Sequence, residues 1–172
     1  MYEKGEAYTI GHSNVEIDVL MKSLLLNKIQ VLVDIRNRPY SKYCPQFNMP
    51  TVKAYCMHNK IEYIWKPSLG GFEKWNEKSF NDLEQTLSLT KNKKVCYMCS
   101  ERNEKDCHRY TILQPEAENR GYRILHIDVK TGEVKKPEIK VTQISLLDRL
   151  TGRTSPFEGE DGGSSPCPAV NF

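Results

Sequence analysis

The 172 residues are 38% hydrophobic and 27% charged, which suits one globular domain of about 120 to 150 residues with some sequence to spare. No apolar run approaches the ~20 residues of a membrane helix, and Met1 to Glu6 hold no signal-peptide core, so a cytoplasmic protein with no membrane partner is expected. Six cysteines are then expected as reduced thiols, and a net charge of +3 is too small to demand a nucleic-acid partner.

The first expected strand is Ala7 to Ile10, running into Gly11-His12-Ser13-Asn14. Ser13 followed by Glu16 matches a capping box for a helix from about Val15 to Asn27, with Ile17, Leu20 and Leu24 on its apolar face. The alternative for His12 and Ser13 is a cradle for a ligand at the helix start. Val31 to Arg36 is the clearest strand, apolar enough to lie centrally, yet Asp34 and Arg36 fall two apart on one face near its end. Buried charges persist when paired or used, so this pair either closes on itself or faces a site.

Asn37 to Pro50 is a long loop with three prolines and interleaved basic and aromatic residues, including Arg38, Tyr40, Ser41 and Tyr43. Loops of this length in compact domains tend to bind or cover something, the bland reading being a solvated wrap around the sheet. A short helix over 51–59, a strand over 61–65 and a turn at Ser68 to Gly71 follow. Phe80, Leu83 and Leu87 keep helical spacing up to about Thr90.

Chemistry concentrates between Val95 and Arg109. Val95 to Cys99 suits a buried strand, and Asp106 is a candidate N-cap that would put Cys107, His108 and Arg109 on a first helical turn. An arginine there opposes the helix dipole, which suggests an anionic ligand, unless Arg109 simply pairs with Glu101, Glu104 or another acid. Pro115 should kink or shorten that helix, and Tyr122 to Ile127 is the last strand. Strand and helix alternate throughout. The expected fold is therefore α/β, a single three-layer domain with a mainly parallel, doubly wound sheet of about five strands over 1–135. Beyond it, residues 136–150 could make a short docking helix, and 151–172, rich in Gly, Ser and Pro, reads as a flexible tail.

Cys96, Cys99, Cys107 and His108 invite a zinc reading, but residues three apart on a strand point to opposite faces, so no metal site is expected. Neither a dinucleotide glycine fingerprint nor a P-loop is present, and no cofactor is expected. A cysteine nucleophile remains, Cys99 or Cys107, its thiolate favoured by neighbouring cations.

The set Thr9-Ile10-Gly11-His12-Ser13, Val33-Asp34-Ile35-Arg36 with Pro39 and Ser41, Leu69-Gly70-Gly71, Met98-Cys99 with Glu101, Cys107-His108-Arg109, Gly121 and His126-Ile127 resembles the family called domain of unknown function 488, in order over roughly residues 7 to 128. The resemblance implies a single α/β domain whose signature residues are these positions, and it implies no activity. Pro115, within a helix that reads as uninterrupted in that family, and the C-terminal tail depart from the pattern.

Ligands of open α/β sheets bind beyond the carboxyl ends of the strands, where these polar residues converge. The function expected is an enzyme for an anionic, phosphate-bearing substrate, a nucleotide or nucleic acid. Cys99, Glu101, Cys107, His108 and Asp34 would serve catalysis, and His12, Ser13, Arg36, Ser41 and Arg109 would bind substrate. The alternative is a non-catalytic nucleic-acid module using the loop from Arg36 to Tyr43. The sequence does not specify an oligomeric state.

Overall fold

The structure, a computed structural model, describes residues 4–135, so the docking helix expected over 136–150 and the tail expected over 151–172 lie outside the described residues. The elements in order are β1 (Gly5–Gly11), α1 (Ile17–Leu26), β2 (Val31–Asp34), α2 (Met49–His58), β3 (Glu62–Trp65), α3 (Glu77–Ser88), β4 (Val95–Cys99), α4 (Gln114–Asn119), β5 (Tyr122–Ile127) and β6 (Val134–Lys135). One six-stranded sheet has the order β3-β2-β4-β1-β5-β6. Its first five strands run parallel and β6 pairs antiparallel with β5.

The period of two along the strands sorts their side chains into two cores. Tyr8, Ile10, Leu32, Cys96, Met98, Leu125 and Ile127 pack with Leu20 and Leu24 of α1 and Val52 and Cys56 of α2. Ala7, Val31, Val33, Val95, Tyr97, Cys99 and Ile124 pack with Leu83 and Leu87 of α3 and with Leu113 and Ala117 around α4. Both faces of the sheet are thus covered, the three-layer arrangement that strands with continuous apolar runs require. Cys96 and Cys99 fall on opposite faces, as strand geometry dictates.

Two local expectations shift. Ser13 does not cap α1. It sits at φ 53°, and the helix starts after an extended Glu16. The His12 and Ser13 amides donate instead to the carbonyls of Cys99 (2.9 Å) and Ser100 (2.8 Å), so the sheet's pairing runs on past β1 and claims the backbone that the cap would have used. Likewise Asp106 ends a 3-10 turn (Glu104–Asp106), and the extended residue that opens the next helix is Cys107, whose carbonyl accepts from the Tyr110 (2.9 Å) and Thr111 (3.2 Å) amides. That helix begins with a π turn over Arg109–Leu113 and becomes α-helical only at α4. Pro115 has no N–H to offer the turn before it, and the wider turn accommodates that loss, so the expected distortion precedes the proline.

Candidate active site

Strands β1 and β4 are neighbours, with Gly11 opposite Cys99. Their connections leave toward opposite layers, since α1 packs in one core and α4 in the other. Chains that part in this way open a crevice beyond the strand ends. A pocket of about 660 Å³ lies there, lined by His12, Ser13, Arg36, Ser41, Cys99, Glu101, Cys107 and His108 among others. Asp34 and Arg109, expected in the same wall, do not line it and are 0% and 1% exposed.

Two thiols and an imidazole meet at the pocket floor. His108 Nδ1 lies 3.6 Å from Cys107 Sγ and 4.0 Å from Cys99 Sγ. The Cys99 thiol donates toward Cys107, and this hydrogen bond, joined by His108, Arg109 and the Arg109 amide, pulls the Cys107 thiol far below its usual range against the opposing effect of burial. Cys99 moves the other way, raised by the same bond and by burial. The two thiols are thus coupled, with Cys107 drawn down and Cys99 pushed up. Sequence reasoning left the choice between the two cysteines open because it turns on contacts across a loop.

Arg109 is the largest fully buried side chain. Its guanidinium donates to the Glu101 carbonyl (2.6 Å), to Cys107 Sγ (3.3 Å) and to Thr9 Oγ1 (3.4 Å), and among the described residues no carboxylate pairs with it. It faces inward from the π turn, contrary to the expectation of a cation at a helix start reaching for ligand. Behind it, Thr9 Oγ1 meets His126 Nδ1 (2.6 Å), His126 Nε2 meets Gln114 Oε1 (2.9 Å), and Gln114 Nε2 donates to Glu118 Oε1 (2.8 Å). That order of donors fits a neutral His126 with its proton on Nε2, and burial, then the Arg109 charge, lowers its pKa to about 4.

Asp34 and Arg36 close on each other. The Arg36 Nε and Nη2 donate to the two carboxylate oxygens at 2.9 and 2.6 Å, and Tyr63 Oη donates to the same carboxylate at 2.6 Å. The remaining Arg36 nitrogen donates to the Phe47 carbonyl (2.9 Å) and to His12 Nε2 (3.2 Å), while His12 Nδ1 bonds the Ser13 carbonyl (2.6 Å). Burial, and then Arg36, lowers the His12 pKa to about 4, so a neutral ring stacks on Phe47 at 4.0 Å. Arg36 thus enters the pocket wall already satisfied. Ser41 Oγ accepts from the Tyr43 and Cys44 amides at 3.1 and 3.2 Å, which shapes the loop.

Glycines make room for this convergence. A side chain at Gly11 would collide with the Glu101 carbonyl and the Arg109 guanidinium. A Cβ at Gly71 would lie 2.9 Å from His108 Cγ and Nδ1, so the imidazole rests directly on that backbone. The pocket also takes Asn37, Arg38 and Tyr40 from the loop expected to bind, and Phe72 and Asp106, which were not named beforehand as site residues. Phe72 is 84% exposed, and an aromatic directly after Gly70-Gly71 was the sequence signal for it. Among the described residues, the group able to hold a metal ion is Cys99, Cys107 and His108, whose ligand atoms lie within 4.8 Å of one another. No helix among them is long and apolar enough to cross a membrane.

The family model described as domain of unknown function DUF488 matches residues 16–81, which supports the chain's place in that family. The matched stretch contains Asp34, Arg36, Ser41 and Gly71 and stops short of Cys99 and the Cys107-His108-Arg109 turn. No curated protein and no solved structure gives a significant match.

Proposed function

We propose that this DUF488-type domain is a thiol-dependent enzyme that uses the Cys107 thiolate as nucleophile toward a small anionic, phosphate-bearing substrate such as a nucleotide. One observation carries the reading: the buried Arg109 guanidinium has no carboxylate partner among the described residues and spends a donor on Cys107 Sγ. A buried cation requires a compensating anion, and the thiolate is the one beside it. A stabilised thiolate opening on a pocket is the arrangement of covalent catalysis, in which the sulfur bonds to the substrate's phosphorus as the P–O bond to the leaving group breaks, the leaving oxygen takes a proton, and water then cleaves the S–P bond to restore the thiolate. His108, in contact with both sulfurs, and Glu101 on the wall are the groups that would carry protons. The substrate class rests on the rest of the lining. Arg38 brings a cation, and Tyr40 and Phe72 offer aromatic faces on which a base can stack.

Peptide mapping after brief exposure to iodoacetamide at pH 7 tests this. Cys107 should be modified at least tenfold faster than the half-buried Cys44. Equal rates would remove the nucleophile. Thermal shift with nucleoside mono- and diphosphates then reports the substrate class, because a ligand bound by the folded form raises stability.

The second reading is a non-catalytic nucleic-acid module, favoured by Tyr43, 96% exposed beside Lys42 and near Arg38. Oligonucleotide binding with steep salt dependence and no fast thiol would select it.

A further inference from the structure

We propose that Cys99, Cys107 and His108 form a binding site for a soft, tetrahedral divalent cation, Zn²⁺ being the natural occupant. The argument is geometric. Zinc bonds of ~2.3 Å to sulfur and ~2.05 Å to nitrogen put neighbouring ligands of a tetrahedron about 3.6 Å apart for S and N and about 3.8 Å for two sulfurs. The two sulfur-to-Nδ1 distances here are 3.6 and 4.0 Å, and all three ligand atoms fit within 4.8 Å. The two sulfur-to-nitrogen edges thus need shifts of no more than a few tenths of an ångström, and the sulfur-to-sulfur edge, within 4.8 Å, needs at most about 1 Å.

The supports point the same way. Cys99 is the last residue of β4, Cys107 is fixed by the turn it opens, and Gly71 sits against the His108 ring, so none of the three hangs on a loose loop. Arg109 Nε on Cys107 Sγ is the kind of outer hydrogen bond that holds a thiolate ligand in place. His108 Nδ1 faces both sulfurs, while Nε2, which would keep the proton, is buried without an outer acceptor, so the ring is held by packing against Gly71. Three protein ligands with the fourth direction open to the pocket is the pattern of a catalytic zinc site, closed structural sites having four. Both sulfurs would ligate as thiolates, so binding should tighten as pH rises.

This inference stands on three positions and does not depend on Cys107 acting as a nucleophile. The same sulfur cannot do both at once, so the ion-loaded and thiolate-reactive forms exclude each other. The Cys107-His108 pair and the end of β4 lie outside the matched family stretch.

The test titrates the full, reduced, chelator-stripped chain with Co²⁺ and follows the thiolate-to-cobalt charge-transfer band together with the visible bands of tetrahedral cobalt. Zn²⁺ then competes for the site, and its affinity is read against a colorimetric chelator. One equivalent should bind, with a Zn²⁺ Kd of about 1 μM or tighter. Cys99→Ser and His108→Ala should each weaken it at least tenfold while circular dichroism shows a folded chain, and Cys56→Ser should leave it unchanged. Absence of the charge-transfer band, or a band that survives both site variants, overturns the proposal. Iodoacetamide labelling of the same samples separates it from the enzyme reading. Fast Cys107 labelling without metal binding refutes the metal site alone, whereas metal binding with slow labelling of the stripped chain refutes the nucleophile alone.

Discussion

Arg109 Nε lies 3.3 Å from Cys107 Sγ, with the guanidinium sealed beneath the pocket floor and the sulfur at its edge. The expectation from a helix start was a cation reaching outward for a ligand and costing stability. Inward placement reverses the sign. Arg109→Met keeps much of the volume but leaves the Glu101 carbonyl without its donor and the thiolate without its counter-charge, so unfolding free energy should fall by about 2 to 3 kcal/mol. Labelling of Cys107 at pH 7 should slow at least tenfold, and Arg109→Lys, which keeps the charge without the fork, should fall between. A Met variant that labels as fast as the parent would show that the guanidinium does not hold the thiolate.

The Asp34–Arg36 pair separates a structural ion pair from a substrate clamp. Asp34→Asn would leave Arg36 buried and uncompensated, and the loss of one partner of such a pair costs about 3 to 5 kcal/mol. Because Arg36 also holds the Phe47 carbonyl and His12 Nε2, the wall that both shape should loosen with it. A denaturant midpoint shift at unchanged slope measures the loss. Less than about 1 kcal/mol would mean that Arg36 is free to serve an anion.

What the sequence disclosed follows the strength of local signals. Four of the parallel strands, β1, β2, β4 and β5, were legible because buried strands read as apolar runs, and their polar ends placed His12, Cys99 and Cys107 at one edge; the edge strand β3, with Glu62 and Trp65 exposed, was legible from its aromatic and β-branched residues. The two-residue β6 was not, since Val134 and Lys135 are both exposed and carry no pattern. The direction of Arg109 was not legible either, because the π turn and the Cys107 cap rotate the helix start relative to the Asp106 reading. The relay from Arg109 through Thr9, His126 and Gln114 joins residues from β1, β5 and α4, and no local spacing announces it.

Gly71→Ala tests whether His108 is positioned by backbone contact. The added methyl would meet the ring at 2.9 Å, tighter than ordinary packing, so the imidazole must swing away from the sulfurs. The expected stability change is about 1 to 2 kcal/mol, but the thiol should respond more: Cys107 loses the His108 hydrogen bond and labels several-fold more slowly. Unchanged labelling with the same stability loss would show that the ring contributes nothing to thiol reactivity.

The last prediction is a pH dependence of stability set by His126. Its folded pKa is about 4 against an ordinary 6.5, so between these values the unfolded chain binds the proton that the folded one refuses. The His126 contribution is therefore fully present above pH 6.5 and falls as pH drops toward 4, by about 1.4 kcal/mol per unit and about 3 kcal/mol in all. The groups facing the ring are Arg109 and Lys135, which oppose its charging, and Glu104 and Cys107, which favour it, and burial together with Arg109 prevails. His12, also held near 4, adds a parallel loss of the same sign. Asp82 and Asp128, whose pKa values lie below 3.8, give their losses at lower pH, whereas Cys107, drawn far below its ordinary 9.0, adds a loss of the same sign throughout the window. Urea unfolding at pH 7.5, 6, 5 and 4 should show this decline, and His126→Gln should make it shallower below pH 6.5 by about 1.4 kcal/mol per unit. A variant as steep as the parent would place the proton uptake elsewhere and leave the Thr9–His126–Gln114 chain without a role in acid sensitivity.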